Sequence, residues 1–174
     1  TIETVEKLLL DIKKTENGII QVANDNTNGQ VVISGDMKLI DIATDRAVSF
    51  GFKKAVKLDV SGAFHSVLMQ TAVETMRTAI SNVKMEKPKV KFISNVSADF
   101  ADDLDVIKNN LILQVTNSVK WRETMLLLSK NGVNKIVEVG PNKVLSPMVS
   151  RTLENTEAEN IDSIETINEY KTKL

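Results

Sequence analysis

Helical and strand-like segments alternate along this chain of 174 residues, and this alternation constrains the fold more than any other feature. Apolar residues recur at helical spacing in residues 3–15 and again in the segment that begins at Ser66. Short apolar runs lie between helical segments, at residues 18–23, 30–35, 54–60, 90–96 and 135–139. Helices that alternate with short apolar strands are typical of α/β proteins with a parallel sheet. We therefore predict the α/β class.

The first part of the chain, up to Ser61, has the order helix, strand, strand, helix, strand. Its first two strands are separated only by the short polar loop 24–29, which predicts an antiparallel hairpin. A helix over residues 36–50 and the strand at 54–60 follow. This is the order of a ferredoxin-like unit without its first strand. Because the chain starts at Thr1 rather than with Met, we expect the missing strand in residues that precede it.

The second part of the chain predicts further helices and strands. One helix is expected near residues 102–115, and the next has Asn117 or Ser118 as its N-cap. Glu138–Pro141 forms a turn between a strand and a helix, with Asn142 as a residue that tolerates unusual backbone angles. A last edge strand is predicted at residues 162–167.

Composition excludes several classes of function. The formal net charge is −1, which gives no reason to expect nucleic acid as a partner. The chain has no Cys, so disulfides, thiolate catalysis and cysteine metal sites are excluded. No apolar run has membrane-spanning length and no signal-peptide pattern is present, so we predict a cytoplasmic protein without membrane contact.

The acidic residues Asp102, Asp103 and Asp105 indicate the N-terminus of a helix rather than a metal site. We predict no cofactor and no metal.

His65 is the only histidine, and it lies between a predicted strand end and a predicted helix start. Such junctions carry ligands and chemistry in α/β proteins, and an imidazole suits proton transfer near neutral pH. A structural histidine that caps the helix is the alternative. The sequence contains no Gly-x-Ser-x-Gly turn to supply a nucleophilic serine beside it.

Five short stretches together resemble the malonyl-CoA:acyl-carrier-protein transacylase family. In order along the chain they are Asn-Asp-Asn-Thr-Asn-Gly-Gln-Val-Val-Ile-Ser-Gly (24–35), Gly-Ala-Phe-His-Ser (62–66), Phe-Ile-Ser-Asn-Val (92–96), Gln-Val-Thr-Asn-Ser-Val-Lys-Trp (114–121) and Glu-Val-Gly-Pro-Asn-Lys-Val-Leu (138–145). The resemblance implies an incomplete ferredoxin-like subdomain at residues 1–61. It implies the C-terminal part of an α/β-hydrolase-like core at residues 62–174.

The resemblance also implies a ping-pong acyl transfer. A serine takes malonyl from coenzyme A and passes it to the phosphopantetheine thiol of acyl carrier protein. In the family this serine lies in a Gly-His-Ser-x-Gly segment upstream of the region that matches here. We therefore expect malonyl-CoA, acyl carrier protein and an N-terminal segment of the same protein as partners. The chain alone is predicted to be inactive.

Seven residues match family positions with functional roles. His65 matches the general base, and Gln114 matches the residue whose main-chain carbonyl orients the imidazole. An ordinary polar residue at a helix end is the alternative for Gln114. Asn24 and Asn26 match asparagines at the substrate entrance, although Asn is also a common turn residue. The family's usual Pro before Gly29 is Asn28 here, which leaves the shape of this loop open.

The other matches concern selectivity and docking. Phe64 matches a position where a bulky ring accompanies malonyl and a small residue accompanies branched substrates, and packing in the core is its alternative role. Lys53 and Lys54 match a basic pair that docks carrier protein, with protection of a solvated strand edge as the alternative. Two other functions stay open: an acyltransferase fragment of a polyketide-type synthase, and an inactive module that docks a carrier protein.

Overall fold

The computed structural model describes residues 1–173, and the chain divides into two compact units, with the boundary after Trp121. The division predicted near residue 61 stays a prediction. Both units mix helices and strands, so the α/β class is confirmed at this level. Among the described residues, no helix has the length and apolar character needed to span a membrane.

Unit 1 begins with a β-hairpin flanked by two helices. Helix α1 (Ile2–Thr15) is followed by the antiparallel strands β1 (Ile20–Thr27) and β2 (Gln30–Gly35) and by helix α2 (Met37–Arg46). The apolar faces of these elements form one core, as the helical spacing of α1 predicts. Its buried members are Val5, Leu8, Leu9, Ile12, Ile20, Leu39 and Ala43.

The predicted hairpin is confirmed, but its loop is shorter than residues 24–29. β1 continues through Thr27, so Asn24 and Asn26 are strand residues rather than loop residues. The reason is that the backbone in this stretch has hydrogen-bond partners. Two register shifts accommodate the polar sequence, and Asn24 forms a parallel bridge with Val119.

Gly35 shows how tightly the hairpin closes. A Cβ at this position would lie 2.2 Å from the carbonyl oxygen of Ile19, which no side chain tolerates. The next residue completes the junction, because Ile19 N–H donates to Asp36 Oδ2 (2.6 Å) and Asp36 N–H donates to Ile19 O (2.8 Å). These bonds fix the start of α2 against the start of β1.

The strand predicted at residues 54–60 is wrong. α2 ends at Arg46, a 3-10 turn covers Val48–Phe50, and residues 53–60 form an exposed segment without regular secondary structure. Val56, Leu58 and Val60 alternate along it and are each about three-fifths exposed. Alternating apolar residues make a strand only when a neighbour pairs with its backbone, and no described strand pairs with this segment.

The remainder of unit 1 is helical with one small strand pair. A 3-10 turn (Val67–Met69) leads into α3 (Gln70–Asn82), and α4 spans Leu104–Leu113. Strands β3 (Phe92–Ile93) and β4 (Phe100–Ala101) pair antiparallel between them. The strand predicted at 90–96 therefore keeps only two residues.

Three polar predictions around α4 have different outcomes. Asp103 caps α4 by accepting from the N–H groups of Asp105 and Val106, as expected for a helix N-terminus. The predicted caps of the next helix are wrong: Asn117 Nδ2 donates back to Leu113 O (2.7 Å), and Ser118 Oγ donates to Val22 O. Both side chains hydrogen-bond to residues earlier in the chain, so neither caps helix α5 (Trp121–Lys130).

Unit 2 contains the rest of α5 and a parallel strand pair. β5 (Lys135–Val139) is followed by α6 (Ser146–Thr152), β6 (Glu157–Ile161) and α7 (Ile164–Lys171). The predicted edge strand at residues 162–167 is wrong, because Ser163 and Thr166 form a reciprocal capping box that starts α7. The strand is the preceding polar segment, which apolar patterning does not reveal. Asn142 has φ +72°, in agreement with its expected tolerance of the left-handed region.

Candidate active site

His65 occupies a tight turn between the exposed segment and the 3-10 turn before α3. Its φ is +57°, in the left-handed region that few residues other than glycine adopt. The next residue, Ser66, is fully buried; its Oγ donates to Ala63 O (2.7 Å) and accepts from Leu68 N–H (3.3 Å). The predicted helix start after His65 is thus confirmed, whereas the predicted strand before it is absent from the described residues.

The imidazole of His65 is bound to the main chain of Gln114. The distance from His65 Nδ1 to Gln114 O is 2.8 Å. A carbonyl oxygen only accepts hydrogen bonds, so Nδ1 carries the proton and Nε2 of the neutral ring has a free lone pair. A ring held in this tautomer is able to take up a proton at Nε2.

The segment that follows Gln114 is docked on β1. Val119 N–H donates to Ala23 O (2.8 Å), and Asp25 N–H donates to Val119 O (2.9 Å). The hydroxyl of Ser118 adds its bond to Val22 O. The C-terminal end of α4, which carries the carbonyl, is therefore fixed to the hairpin at several points.

The two predicted substrate asparagines lie on β1, half-buried. Gln21 pairs with Ser34 and Asn24 pairs with Val32. Since Ser34 and Val32 are two residues apart on β2, Gln21 and Asn24 lie on the same face of the hairpin. Within residues 1–173, the side-chain amides of Asn24 and Asn26 have no hydrogen-bond partner. An amide of this kind is able both to donate to a ligand and to accept from it.

Phe64 and the predicted lysines are at the surface. Phe64 directly precedes His65 and is 47% exposed, so its ring is not part of a buried core. Lys53 and Lys54 are exposed in the irregular segment before the histidine turn. The nearby Lys57 forms an ion pair with Asp41. A solvated strand edge does not explain the two lysines, because their segment is not a strand.

Sequence reasoning missed Gln21. Its Nε2 donates to His65 O (3.1 Å) and to Thr116 O (3.2 Å), and its Oε1 accepts from Val67 N–H (3.2 Å). No local sequence pattern predicts these hydrogen bonds, because the partners lie between 44 and 95 residues away in the chain. A single polar residue on a strand is ordinary in any half-buried sheet.

In unit 2, the carboxylate of Glu138 holds the turn that follows β5. It accepts from the N–H groups of Val144 (3.0 Å), Leu145 (2.9 Å) and Ser146 (2.8 Å), and from Ser146 Oγ (2.7 Å). Burial acts to raise the pKa of Glu138, but these hydrogen bonds outweigh it and lower the pKa to about 2. These bonds fix the turn predicted at residues 138–141 to the start of α6.

The model of the acyl transferase domain family matches residues 9–173. This chain belongs to the acyl transferase family. Two known proteins with similar sequences are both malonyl CoA-acyl carrier protein transacylases. The chain is 41% identical over 140 residues to the malonyl CoA-acyl carrier protein transacylase of Bacillus subtilis (strain 168), covering 80% of this chain and 44% of that protein. It is 33% identical over 153 residues to the protein of the same name from Staphylococcus aureus (strain COL), covering 88% of this chain and 50% of that protein.

A solved structure agrees with these relatives. The acyl-carrier-protein-S-malonyltransferase from Bartonella henselae matches with a TM-score of 0.91 and 37% identity, over 98% of this chain and 54% of that one. The acyl transferase chain described here therefore spans about half the length of the relatives that it matches.

Proposed function

We propose that this chain is the histidine-bearing part of an acyl transferase that moves malonyl from coenzyme A to the phosphopantetheine thiol of acyl carrier protein. The observation that carries the proposal is the bond between His65 Nδ1 and Gln114 O, which leaves Nε2 as an acceptor. The choice of malonyl-CoA and acyl carrier protein is supported by the relatives, which are malonyl CoA-acyl carrier protein transacylases.

The proposed chemistry has two half-reactions. In the first, Nε2 of His65 takes the proton of a serine hydroxyl as its oxygen attacks the thioester carbonyl of malonyl-CoA. The bond to sulfur breaks, and the imidazolium returns the proton to the coenzyme A thiolate. In the second, the phosphopantetheine thiol gives its proton to His65 and attacks the acyl-serine. The serine oxygen leaves and is reprotonated.

In this proposal the serine comes from a segment of the same protein outside the 174 residues. The sequence motif for that serine is absent here, and the relatives are about twice as long. The carbonyl of Gln114 performs the task of a triad carboxylate, because its only duty is to hold the ring in the correct tautomer.

The other site residues have supporting roles. Asn24 and Asn26 offer amides to the thioester or the pantetheine chain, consistent with their lack of partners among the described residues. Phe64 presents its exposed ring beside the base and restricts the space next to the malonyl α-carbon. Lys53 and Lys54 attract an acidic carrier protein to the segment that leads to the histidine.

The test uses the whole protein that contains this chain. Wild type should gain the mass of one malonyl group on incubation with malonyl-CoA and lose it on addition of holo acyl carrier protein. His65→Ala should slow the transfer by about a hundred- to ten-thousandfold, the usual contribution of a positioned general base. Unchanged rates and an unchanged pH profile in this variant would overturn the proposal.

A further inference from the structure

The side chain of Gln21 joins three main-chain groups from two distant parts of unit 1. Its NH2 group bonds two carbonyl oxygens, on His65 and Thr116, and its oxygen bonds the N–H of Val67. All three distances are within the normal range for hydrogen bonds. One half-buried amide therefore connects the histidine turn to the end of α4.

These bonds hold the backbone directly after the strained residue, His65. His65 O and Val67 N lie on the two sides of Ser66, directly after the residue whose φ is +57°. Backbone in this region persists only where surrounding contacts hold it. Gln21 supplies two of these contacts from outside the turn.

The histidine ring and the histidine backbone are tied to the same segment. The ring is bound to Gln114 O directly, and the backbone is bound through Gln21 to Thr116, two residues later. A shift of the turn relative to α4 would therefore break the ring contact as well. The docking of residues 118–119 on β1 has other bonds of its own, so the particular contribution of Gln21 concerns the histidine turn.

We propose that Gln21 is a positioning residue for His65, which keeps the imidazole against the carbonyl of Gln114 in the Nδ1–H tautomer. The proposal rests on the function proposed above, because it assigns to Gln21 the orientation of that base. Gln21 touches neither substrate nor reacting atoms and acts only through the histidine turn.

The experiment compares three variants of the whole protein. Gln21→Met keeps the length of the side chain and removes its hydrogen bonds, and Gln21→Ala removes both. Gln30→Ala is the matched control, since Gln30 is an exposed glutamine on the other strand of the same hairpin. The kcat and KM for malonyl transfer are measured, together with the ring nitrogen shifts of 15N-histidine, in which His65→Ala identifies the His65 signals.

We expect Gln21→Met and Gln21→Ala to lower kcat by about ten- to a hundredfold, as a catalytic group displaced by about 1 Å does. KM should change by less than about threefold, because no substrate contact is lost. The His65 signals should change from one tautomer to a mixture of both. Gln30→Ala should match wild type in each measurement.

A wild-type kcat and a single tautomer in the folded Gln21→Met variant would overturn the proposal. Failure of both Gln21 variants to fold would also overturn it, because the role would then be structural. If His65→Ala retains full activity, the proposed function fails while the tautomer of Gln21→Met still decides whether Gln21 positions the ring.

Discussion

Gln114 contributes a main-chain oxygen to the imidazole, so its side chain should be dispensable. Gln114→Ala in the whole protein is expected to keep kcat within about twofold of wild type, the usual range for a substitution away from buried contacts. Val115→Pro should instead lower kcat, because it disturbs the main chain that carries the carbonyl. Proline disfavours the helical backbone of the preceding residue, and Gln114 has φ −63° and ψ −16°. Steady-state kinetics on both variants would measure the contrast.

A large loss of activity in Gln114→Ala, with normal folding by circular dichroism, would contradict a main-chain role. It would transfer the function to the side-chain amide, whose oxygen is 3.5 Å from Asn95 Nδ2.

Phe64 should influence which acyl group is accepted. Phe64→Ser in the whole protein is expected to raise the use of methylmalonyl-CoA relative to malonyl-CoA. The gain should be modest, because a methyl group in an apolar site is worth about 1–3 kcal/mol of discrimination. Val67→Ser is the control, since Val67 is equally exposed and two residues beyond the histidine. Equal ratios of kcat/KM in wild type and Phe64→Ser would assign the selectivity to another residue.

At the scale of the element, the turn after β5 depends on one charge. The pKa of Glu138 in the folded protein, about 2, lies below its ordinary value of 4.5. The carboxylate therefore stabilises the folded turn above about pH 4.5, and this contribution is lost as the pH falls towards 2. Glu138→Gln should weaken the turn at neutral pH and have progressively less effect in acid.

Hydrogen exchange of the amides of Val144, Leu145 and Ser146 would measure this effect. At neutral pH we expect them to exchange at least about tenfold faster in Glu138→Gln, because hydrogen bonds to a charged acceptor are lost. Glu154→Gln, at an exposed carboxylate outside the turn, should leave them unchanged. A difference that persists undiminished to pH 2 would show that charge is not the cause.

Local patterns predicted the elements whose partners are near in sequence. The face of α1 and the β1–β2 hairpin follow from spacing alone, because they pack against each other over short distances. Residues 54–60 have the pattern of a strand and no described partner strand, so the pattern misled. β6 is polar and hydrogen-bonds to β5, and its sequence gives no strand signal. Ser163 is a preferred N-cap residue and was the usable sequence signal for the start of α7.

The candidate site also contains residues that the sequence predicts and one that it does not. His65 stands out because it is the only histidine, and the family resemblance leads to Gln114. The structure adds the 2.8 Å bond that joins them. The role of Gln21 could not be predicted, because its side chain bonds only main-chain groups. Every residue has such groups, so the sequence does not show which of them will be partners.

At the scale of the whole chain, the histidine site lies within unit 1 and is assembled from three separate stretches. β1 provides Gln21, the turn before α3 provides His65, and the end of α4 provides Gln114. β1 is the shared support, since both other stretches hydrogen-bond to it. The hairpin that positions the site is itself held by its own core with α1 and α2.

The three-way contact of Gln21 also bears on the order of folding. It closes one loop of 44 residues and another of 95, and each doubling of loop length adds about 0.6 kcal/mol of lost chain entropy. The hairpin closes a loop of only two residues, between the paired Thr27 and Gln30, and should form first. During refolding of the whole protein, circular dichroism should therefore recover before malonyl transfer does. Catalytic competence would then be the last property that this part of the molecule acquires.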